Sequence, residues 1–372
     1  MNNRQNRPLR LLSFDGGGVR GLSSLFILKE FLRRTRKSSG GDQPLPLPCE
    51  CFDMICGTGT GGLIAIMLGK LRMSIDDTID EYVKISGTIS SNKKWPWKPG
   101  RSRYSARAFE RALQLVIGGR ARDLRWPEAA TNEGLRLTTE DVGRKIMMEG
   151  NNQGHPACKV FVCALQSANA QGGSNIRTYG EDGETSGFTI WEAIRATTAT
   201  PVLFKPLVFK RGQINMEYIG AEAGHNNPIN DLLDEAEREF PDRTIGFILS
   251  LGTGQRNVIQ LPRAGLVAKL QLLKVVNLIQ EMASDCERTH QTVGNRLVGF
   301  PNTYFRFNVD QGMRGIGIEE WANQNDILAH TYAYMKRSEV GARIDSAVAS
   351  FRGSSTSISM GQATGHPEGQ LH

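Results

Sequence analysis

The chain of 372 residues contains no uninterrupted apolar run of the about 18 residues that a membrane-crossing helix requires. Its opening, MNNRQNRPLR, also lacks the apolar core of a secretory signal, so a soluble, cytoplasmic protein is expected. Cysteine is scarce: it occurs at 49, 51, 56, 158, 163 and 286, never as C-x-x-C. Several of these sit in apolar runs such as Lys159-Val160-Phe161-Val162-Cys163, which points to buried thiols and away from a disulfide framework or a zinc site. The histidines at 155, 290, 330, 366 and 372 show no metal-ligand spacing, so no metal and no cofactor are expected. A phosphate-binding G-x-x-x-x-G-K-[ST] loop is missing, as are internal repeats. With 39% hydrophobic and 22% charged residues, fibrous and largely disordered classes are excluded.

Charge is present but mildly biased, with 45 Lys and Arg against 38 Asp and Glu. The excess matters only where it clusters, and one cluster stands out. From Lys93 to Tyr104 the chain reads KKWPWKPGRSRY, basic throughout, with Trp95, Trp97 and Tyr104 interleaved. Such a stretch suits a lipid headgroup layer, Arg or Lys beside aromatics can also hold nucleic acid, and a Pro-broken surface loop packed on its own domain fits equally. Weak membrane-surface contact through 93–104 is the expectation kept; nothing else supports nucleic acid.

The pattern then alternates. Arg10 to Phe14 is a short apolar run that stops at Asp15 and three glycines, after which Val19 to Phe31 has helical spacing. Phe52 to Cys56 repeats the unit, with a second glycine-rich turn and an apolar helix through Leu68. Ser74, with Asp77 three residues on, signals a capped helix to about Ile85. Lys159–Leu165, Ile214–Ile219, Thr244–Leu251 and Tyr304–Val309 read as strands; Trp191–Ala199, Asn227–Phe240, Leu261–Arg288 and Asp326–Ala349 read as helices. This alternation predicts an α/β protein with a mainly parallel central sheet. A short extension over 1–7, a single domain over 8–350 and a disordered Ser/Gly/Thr-rich tail over 353–372 are expected.

Both glycine turns place consecutive amides at a helix N-terminus, where unpaired N–H groups favour a phosphate or a developing oxyanion. Gly57, Gly59 and Gly62 fit G-x-G-x-x-G, as do Gly16, Gly18 and Gly21. A dinucleotide site would need an acid about 20 residues further on at the end of a strand. The acids available there, Asp76, Asp77 and Glu81, fall on the capped helix instead.

Taken together, Ser13-Phe14-Asp15-Gly16-Gly17-Gly18-Val19-Arg20-Gly21 and Phe52-Asp53-Met54-Ile55-Cys56-Gly57-Thr58-Gly59-Thr60-Gly61-Gly62 resemble the oxyanion loop and nucleophile elbow of patatin-like phospholipases. Ala196-Thr197-Thr198-Ala199-Thr200-Pro201-Val202-Leu203-Phe204-Lys205-Pro206, Gly224-His225-Asn226-Asn227-Pro228 and Ile248-Leu249-Ser250-Leu251-Gly252-Thr253-Gly254 extend the resemblance over roughly residues 8 to 335. It implies a three-layer fold with helices on both faces of the sheet. It also implies a lipid acyl hydrolase with a Ser/Asp dyad, serine in G-x-S-x-G and aspartate in a D-G-G or D-G-A segment. Gly16, Gly17, Gly18, Arg20, Thr58 and Thr60 would then bind the ligand or its oxyanion.

Here the sequence departs from the family. Gly59 stands where the serine belongs and Gly220 where the aspartate belongs, and Glu222 replaces an expected small residue. Glycine supplies neither nucleophile nor base, so an acyl-enzyme route cannot run through these positions. The expectation is a repurposed enzyme that keeps the glycine loop and performs non-hydrolytic chemistry on a hydrophobic or acyl-bearing small molecule. Proton transfer, elimination, cyclisation and isomerisation need only an acid or base, for which Glu222 and His225 are the candidates. The alternatives are a lipid acyl hydrolase or phospholipase with the family's activity, including a form inactivated by deliberate substitution, and a non-catalytic lipid-binding protein.

Overall fold

The computed structural model describes residues 7–36, 44–94, 102–129, 137–150, 158–180, 186–201, 203–255, 286–313, 316–317, 320–321, 323–353 and 357–366. Among the described residues eight strands form one sheet: β1 (Leu9–Phe14), β2 (Met54–Thr58), β3 (Lys159–Gln166), β4 (Asn169–Arg177), β5 (Leu207–Arg211), β6 (Ile214–Gly220), β7 (Ile245–Leu251) and β8 (Tyr304–Phe307). Their order is β5-β6-β3-β2-β1-β7-β8, with β4 also on β3. From β3 through β2, β1 and β7 to β8 every pairing is parallel, and β4, β6 and β5 add an antiparallel flank. The mainly parallel α/β sheet read from the sequence is therefore present.

Twelve helices are used below: α1 (Gly21–Thr35), α2 (Thr60–Ala65), α3 (Ile75–Ser91), α4 (Ala106–Asp123), α5 (Thr139–Lys145), α6 (Ile190–Thr197), α7 (Glu222–His225), α8 (Ile229–Glu239), α9 (Cys286–Arg296), α10 (Gln324–Met335), α11 (Ser338–Gly353) and α12 (Met360–Thr364). Because side chains alternate along a strand, each strand feeds two cores. Leu12 and Phe14 of β1 join Leu22 and Leu25 of α1, Phe109 of α4 and Ile190 of α6. Leu9 and Leu11 join Ile229 and Leu232 of α8 and Val293 of α9 on the opposite face. This gives the three layers.

Local signals explain most boundaries. The Ser74 hydroxyl accepts from the Asp77 N–H at 3.0 Å and starts α3, which runs beyond the expected end at Ile85 to Ser91. The helix expected through Leu68 is α only to Ala65 and continues as a π-helical turn over Ile66–Lys70. The single helix expected over Asp326–Ala349 is two, α10 and α11. Most of the helix expected over Leu261–Arg288 lies outside the described residues, and α9 runs on from its end.

Of the tail expected to be disordered over 353–372, residues 353 and 357–366 are among those described and the rest lie outside them. Ile358 is fully buried and bridges Ile245, and the Ser359 hydroxyl caps α12, which carries Met360 and Ala363 into the second core. Three well-spaced apolar residues outweigh the Ser/Gly/Thr composition. At the other end, Arg7 holds Asp53 in a two-pronged pair at 2.9 and 3.1 Å. In the basic cluster, Lys93 bridges Tyr104, while 95–101, with Trp95 and Trp97, lie outside the described residues. Among the described residues no helix is long and apolar enough to cross a membrane.

Candidate functional site

β2 ends at Thr58 and the chain reverses into α2 at Gly59, whose φ of 57° and ψ of −125° lie where a side chain is strained. Glycine adopts this conformation without that cost. The turn is fixed from several sides. The Gly59 N–H donates to Thr197 Oγ1 at 2.8 Å, the Thr197 hydroxyl donates to the Cys163 carbonyl at 2.6 Å, and the Gly62 and Leu63 amides return to the Gly59 carbonyl.

The first glycine turn lies beside it. The Gly16 N–H donates to the Asn226 carbonyl at 3.0 Å, and the Thr253 hydroxyl donates to the Gly16 carbonyl at 2.9 Å. The Gly18 carbonyl accepts from the Tyr82 hydroxyl at 2.6 Å and from Thr60 at 3.2 Å. Among the described residues no hydrogen bond engages the Gly17 or Gly18 N–H, so both remain available as donors. Below the loop, the Arg306 guanidinium clasps the Asp15 carboxylate at 2.8 and 2.6 Å, with both side chains 2% exposed. Burial pushes the Asp15 carboxyl up, and the guanidinium opposes it.

β6 delivers Gly220, and the next residues form the single turn α7. Its first residue, Glu222, turns its carboxylate into the space between the two glycines. A Cβ built on Gly59 would lie 3.0 Å from Glu222 Oε1, and one built on Gly220 would lie 2.3 Å from Oε2. One carboxylate thus occupies the room that two side chains would need. The Thr200 hydroxyl donates to Oε1 at 2.5 Å. The carboxylate opens on a cavity of about 30 Å³, lined on its polar side by Gly17, Gly18, Thr60 and Thr200 and on its apolar side by Ile89, Phe109, Leu203, Phe204 and Trp321.

The remaining sequence candidates separate from this centre. His225, paired with Glu222 in the sequence reading, does not line the cavity. Its Nδ1 meets Asp231 Oδ1 at 2.9 Å, and that hydrogen bond raises its pKa against the effect of burial. The structure therefore does not bring Glu222 and His225 together, because the single turn of α7 sends Glu222 to Thr200 and His225 to Asp231. Thr58, also expected at the ligand, is fully buried and donates to the His225 carbonyl at 2.6 Å. Arg20 is 4% exposed and lies outside the cavity lining, as does Gly16. Thr60, Gly17 and Gly18 do line the cavity. The thiols of Cys56 and Cys163 are pushed well up by burial, so neither serves as a thiolate nucleophile. Among the described residues no His, Cys, Asp and Glu cluster suits a metal ion.

Sequence reasoning missed Thr197, Thr200, Tyr82, Phe109 and Trp321. The two threonines lie in the segment quoted for its resemblance, but nothing local shows which hydroxyl faces the site. The others arrive from α3, α4 and the chain before α10, and only the tertiary fold brings them there.

The sequence profile of the patatin-like phospholipases matches residues 12–233. Calcium-independent phospholipase A2-gamma of Mus musculus is 28% identical over 324 residues, covering 82% of this chain and 35% of that protein. Phospholipase A I of Arabidopsis thaliana is 25% identical over 351 residues, covering 84% of this chain and 25% of that protein. "Probable inactive patatin-like protein 9", also of Arabidopsis thaliana, is 23% identical over 340 residues and 80% of its own length is covered. The chain therefore spans about a third or less of these two phospholipases. With the strand-turn-helix at Gly59, the glycine loop beside it and this profile match in hand, the chain belongs to the patatin-like phospholipase family.

Proposed function

We propose that this chain is a patatin-like protein repurposed for non-hydrolytic chemistry on a hydrophobic, acyl-bearing molecule, with Glu222 as the acid and base. The observation that carries the reading is the place of the Glu222 carboxylate, between Gly59 and Gly220 and open to the cavity. A carbonyl oxygen set against the Gly17 and Gly18 amides is polarised, and the proton on the adjacent carbon becomes acidic. Glu222 removes that proton, leaving an enolate held by the two amides, and returns it at the same or a neighbouring atom. Exchange, isomerisation or elimination follows according to what the substrate carries. The cavity has room for a head of about two or three heavy atoms, so the tail extends past the apolar side chains. Its lining is drawn from Gly17 to Trp321, which favours one domain over most of the chain.

The test follows a decanoyl thioester in D₂O by NMR. The native chain should place deuterium at the α-carbon, and Glu222→Gln should lose about 10²-fold or more of that rate. Cleavage of the thioester by the native chain at enzyme-like rates would end the non-hydrolytic reading.

A second reading, a non-catalytic lipid-binding protein, is favoured by the similarity to a relative whose name marks it as inactive. Saturable binding of the thioester without exchange would select it. Weak headgroup contact through 93–104 is a separate proposal, supported by the Tyr104 N–H donating to the carbonyl of cavity-lining Leu203 at 3.0 Å. Equal liposome binding by the native chain and Trp95→Ala/Trp97→Ala would remove it.

A further inference from the structure

The two donors of the glycine loop, the Gly17 and Gly18 N–H groups, are aimed by the peptides that carry them. In a trans peptide the N–H points opposite to the carbonyl of the preceding residue, so whatever holds the Gly16 carbonyl sets the direction of the Gly17 N–H. That holder is Thr253, whose hydroxyl donates to the Gly16 carbonyl at 2.9 Å. Thr253 is 4% exposed, lies outside the cavity lining, and sits so close to Gly17 that a Cβ there would fall 2.1 Å from its hydroxyl oxygen. It follows β7 in a turn fixed on either side, by the Gly252 N–H on the Phe307 carbonyl at 2.8 Å and the Gly254 N–H on Asn308 Oδ1 at 2.7 Å. The other loop carbonyls are held differently. Gly17 accepts from the Arg20 N–H at 3.2 Å, a backbone contact within the turn, and Gly18 accepts from Tyr82 and Thr60, which set the peptide of Val19 and neither donor. Among the described residues Thr253 is thus the one side chain that orients a donor peptide.

We propose that Thr253 is a positioning residue that aims the Gly17 N–H at the substrate oxygen. This rests on the reading that a carbonyl is polarised by the Gly17 and Gly18 amides. The peptide between Gly16 and Gly17 has glycine on both sides, so no Cβ hinders its rotation, and the bond from Thr253 is what holds it. Without that hydroxyl the buried Gly16 carbonyl is left unsatisfied, and the peptide turns to find another donor, carrying the Gly17 N–H with it. The apolar part of the substrate is still bound, but the developing oxyanion meets one amide instead of two. Because the amide matters most as charge grows on the oxygen, the loss falls on kcat and spares KM.

The test follows deuterium uptake by a decanoyl thioester labelled with ¹³C at its carbonyl, in the native chain, Thr253→Val, Thr253→Ser and Thr253→Ala. Serine and alanine differ by the hydroxyl alone, and threonine and valine by hydroxyl against methyl, so a variant that fails to fold leaves the other comparison standing. Thr253→Val and Thr253→Ala should lose about 10- to 10²-fold in kcat, somewhat less than removal of a whole oxyanion donor. Thr253→Ser, which keeps the hydroxyl, should restore the rate to within about threefold of native, and KM should move by less than about twofold throughout. The carbonyl resonance of the bound thioester should lie downfield in the native chain and Thr253→Ser, and return toward the free position in the other two. A rate that follows the methyl, with serine as slow as alanine, would overturn the proposal. So would a loss confined to KM, or a bound carbonyl resonance that is the same in all the variants and the native chain. If the native chain binds the thioester without exchange, the proton-transfer reading fails by itself and the carbonyl resonance decides the role of Thr253; if it does not bind, both fall.

Discussion

Glu222 Oε2 stands 2.3 Å from the point where a Cβ on Gly220 would fall, and the Thr197 carbonyl stands 2.9 Å from the same point. Residues 220 and 222 are thus mutually exclusive in their present form: glycine at one permits glutamate at the other. Restoring the family dyad as Gly59→Ser/Gly220→Asp should overfill the site, at a cost of about 1–3 kcal/mol. Serine at 59 would add strain, because φ there is 57°. The double variant is expected to melt earlier than the native chain and to leave p-nitrophenyl esters intact. Adding Glu222→Ala should recover part of the lost stability, the Thr197 carbonyl and the Gly59 backbone still opposing the new side chains, and confer ester hydrolysis. Turnover by the double variant without that third change would show that Glu222 moves aside freely.

The scaffold of this site was legible in the sequence, because glycine runs after short apolar stretches report turns that no other residue makes as readily. Gly59 and Gly220, the positions where the family resemblance implies the dyad, were legible in the same way. What could not be read was direction. Glu222 and His225 share one turn of helix, yet one faces Thr200 and the other Asp231. β4, NAQGGSNIR, has no apolar alternation and pairs with β3 through its backbone, so period-2 patterning could not find it. Composition averaged over 353–372 hides the buried Ile358 and Met360.

The His225 and Asp231 pair should make α7 pH-sensitive. Its hydrogen bond to Asp231 raises the His225 pKa above the ordinary 6.5. The stabilisation is therefore fully present below the unfolded value and is lost as pH rises through the raised folded value. His225 is 30% exposed, so solvent screening keeps the effect to about 1 kcal/mol or less. Native and Asp231→Asn chains compared by urea unfolding should differ more at pH 5.5 than at pH 9. A difference that stays constant across this range would mean that the pair contributes as a neutral hydrogen bond.

Arg306→Met should be among the most damaging single changes near the site. It strands the Asp15 carboxylate, 2% exposed, beneath the glycine loop. Removing one partner of a buried ion pair costs about 3–5 kcal/mol, whereas replacing both by apolar groups costs far less. Arg306→Met/Asp15→Leu is thus expected to unfold at a higher urea concentration than Arg306→Met alone. The deficit of the single variant should also shrink as pH falls, because the stranded carboxyl escapes its penalty by taking a proton. A single variant that unfolds with the native chain would show that the pair contributes little.

A chain ending at Gly353 tests the packing of the final segment. It loses Ile358, which is fully buried, and Met360, which is 5% exposed, from the core formed by α8, α9 and the sheet. Burial of two such side chains is worth about 3–5 kcal/mol. The cut also removes the Ala363 carbonyl that accepts from Arg296 at 2.8 Å and the Ile358 bridge to Ile245 at the start of β7. The shortened chain should therefore unfold at markedly lower urea and expose Val293 and Leu297 of the second core. A disordered tail would instead leave stability within about 0.5 kcal/mol of the full chain. Ile358→Ala/Met360→Ala in the full-length protein separates the two cases further, since it should reproduce most of the loss while leaving the backbone bridge to β7 in place.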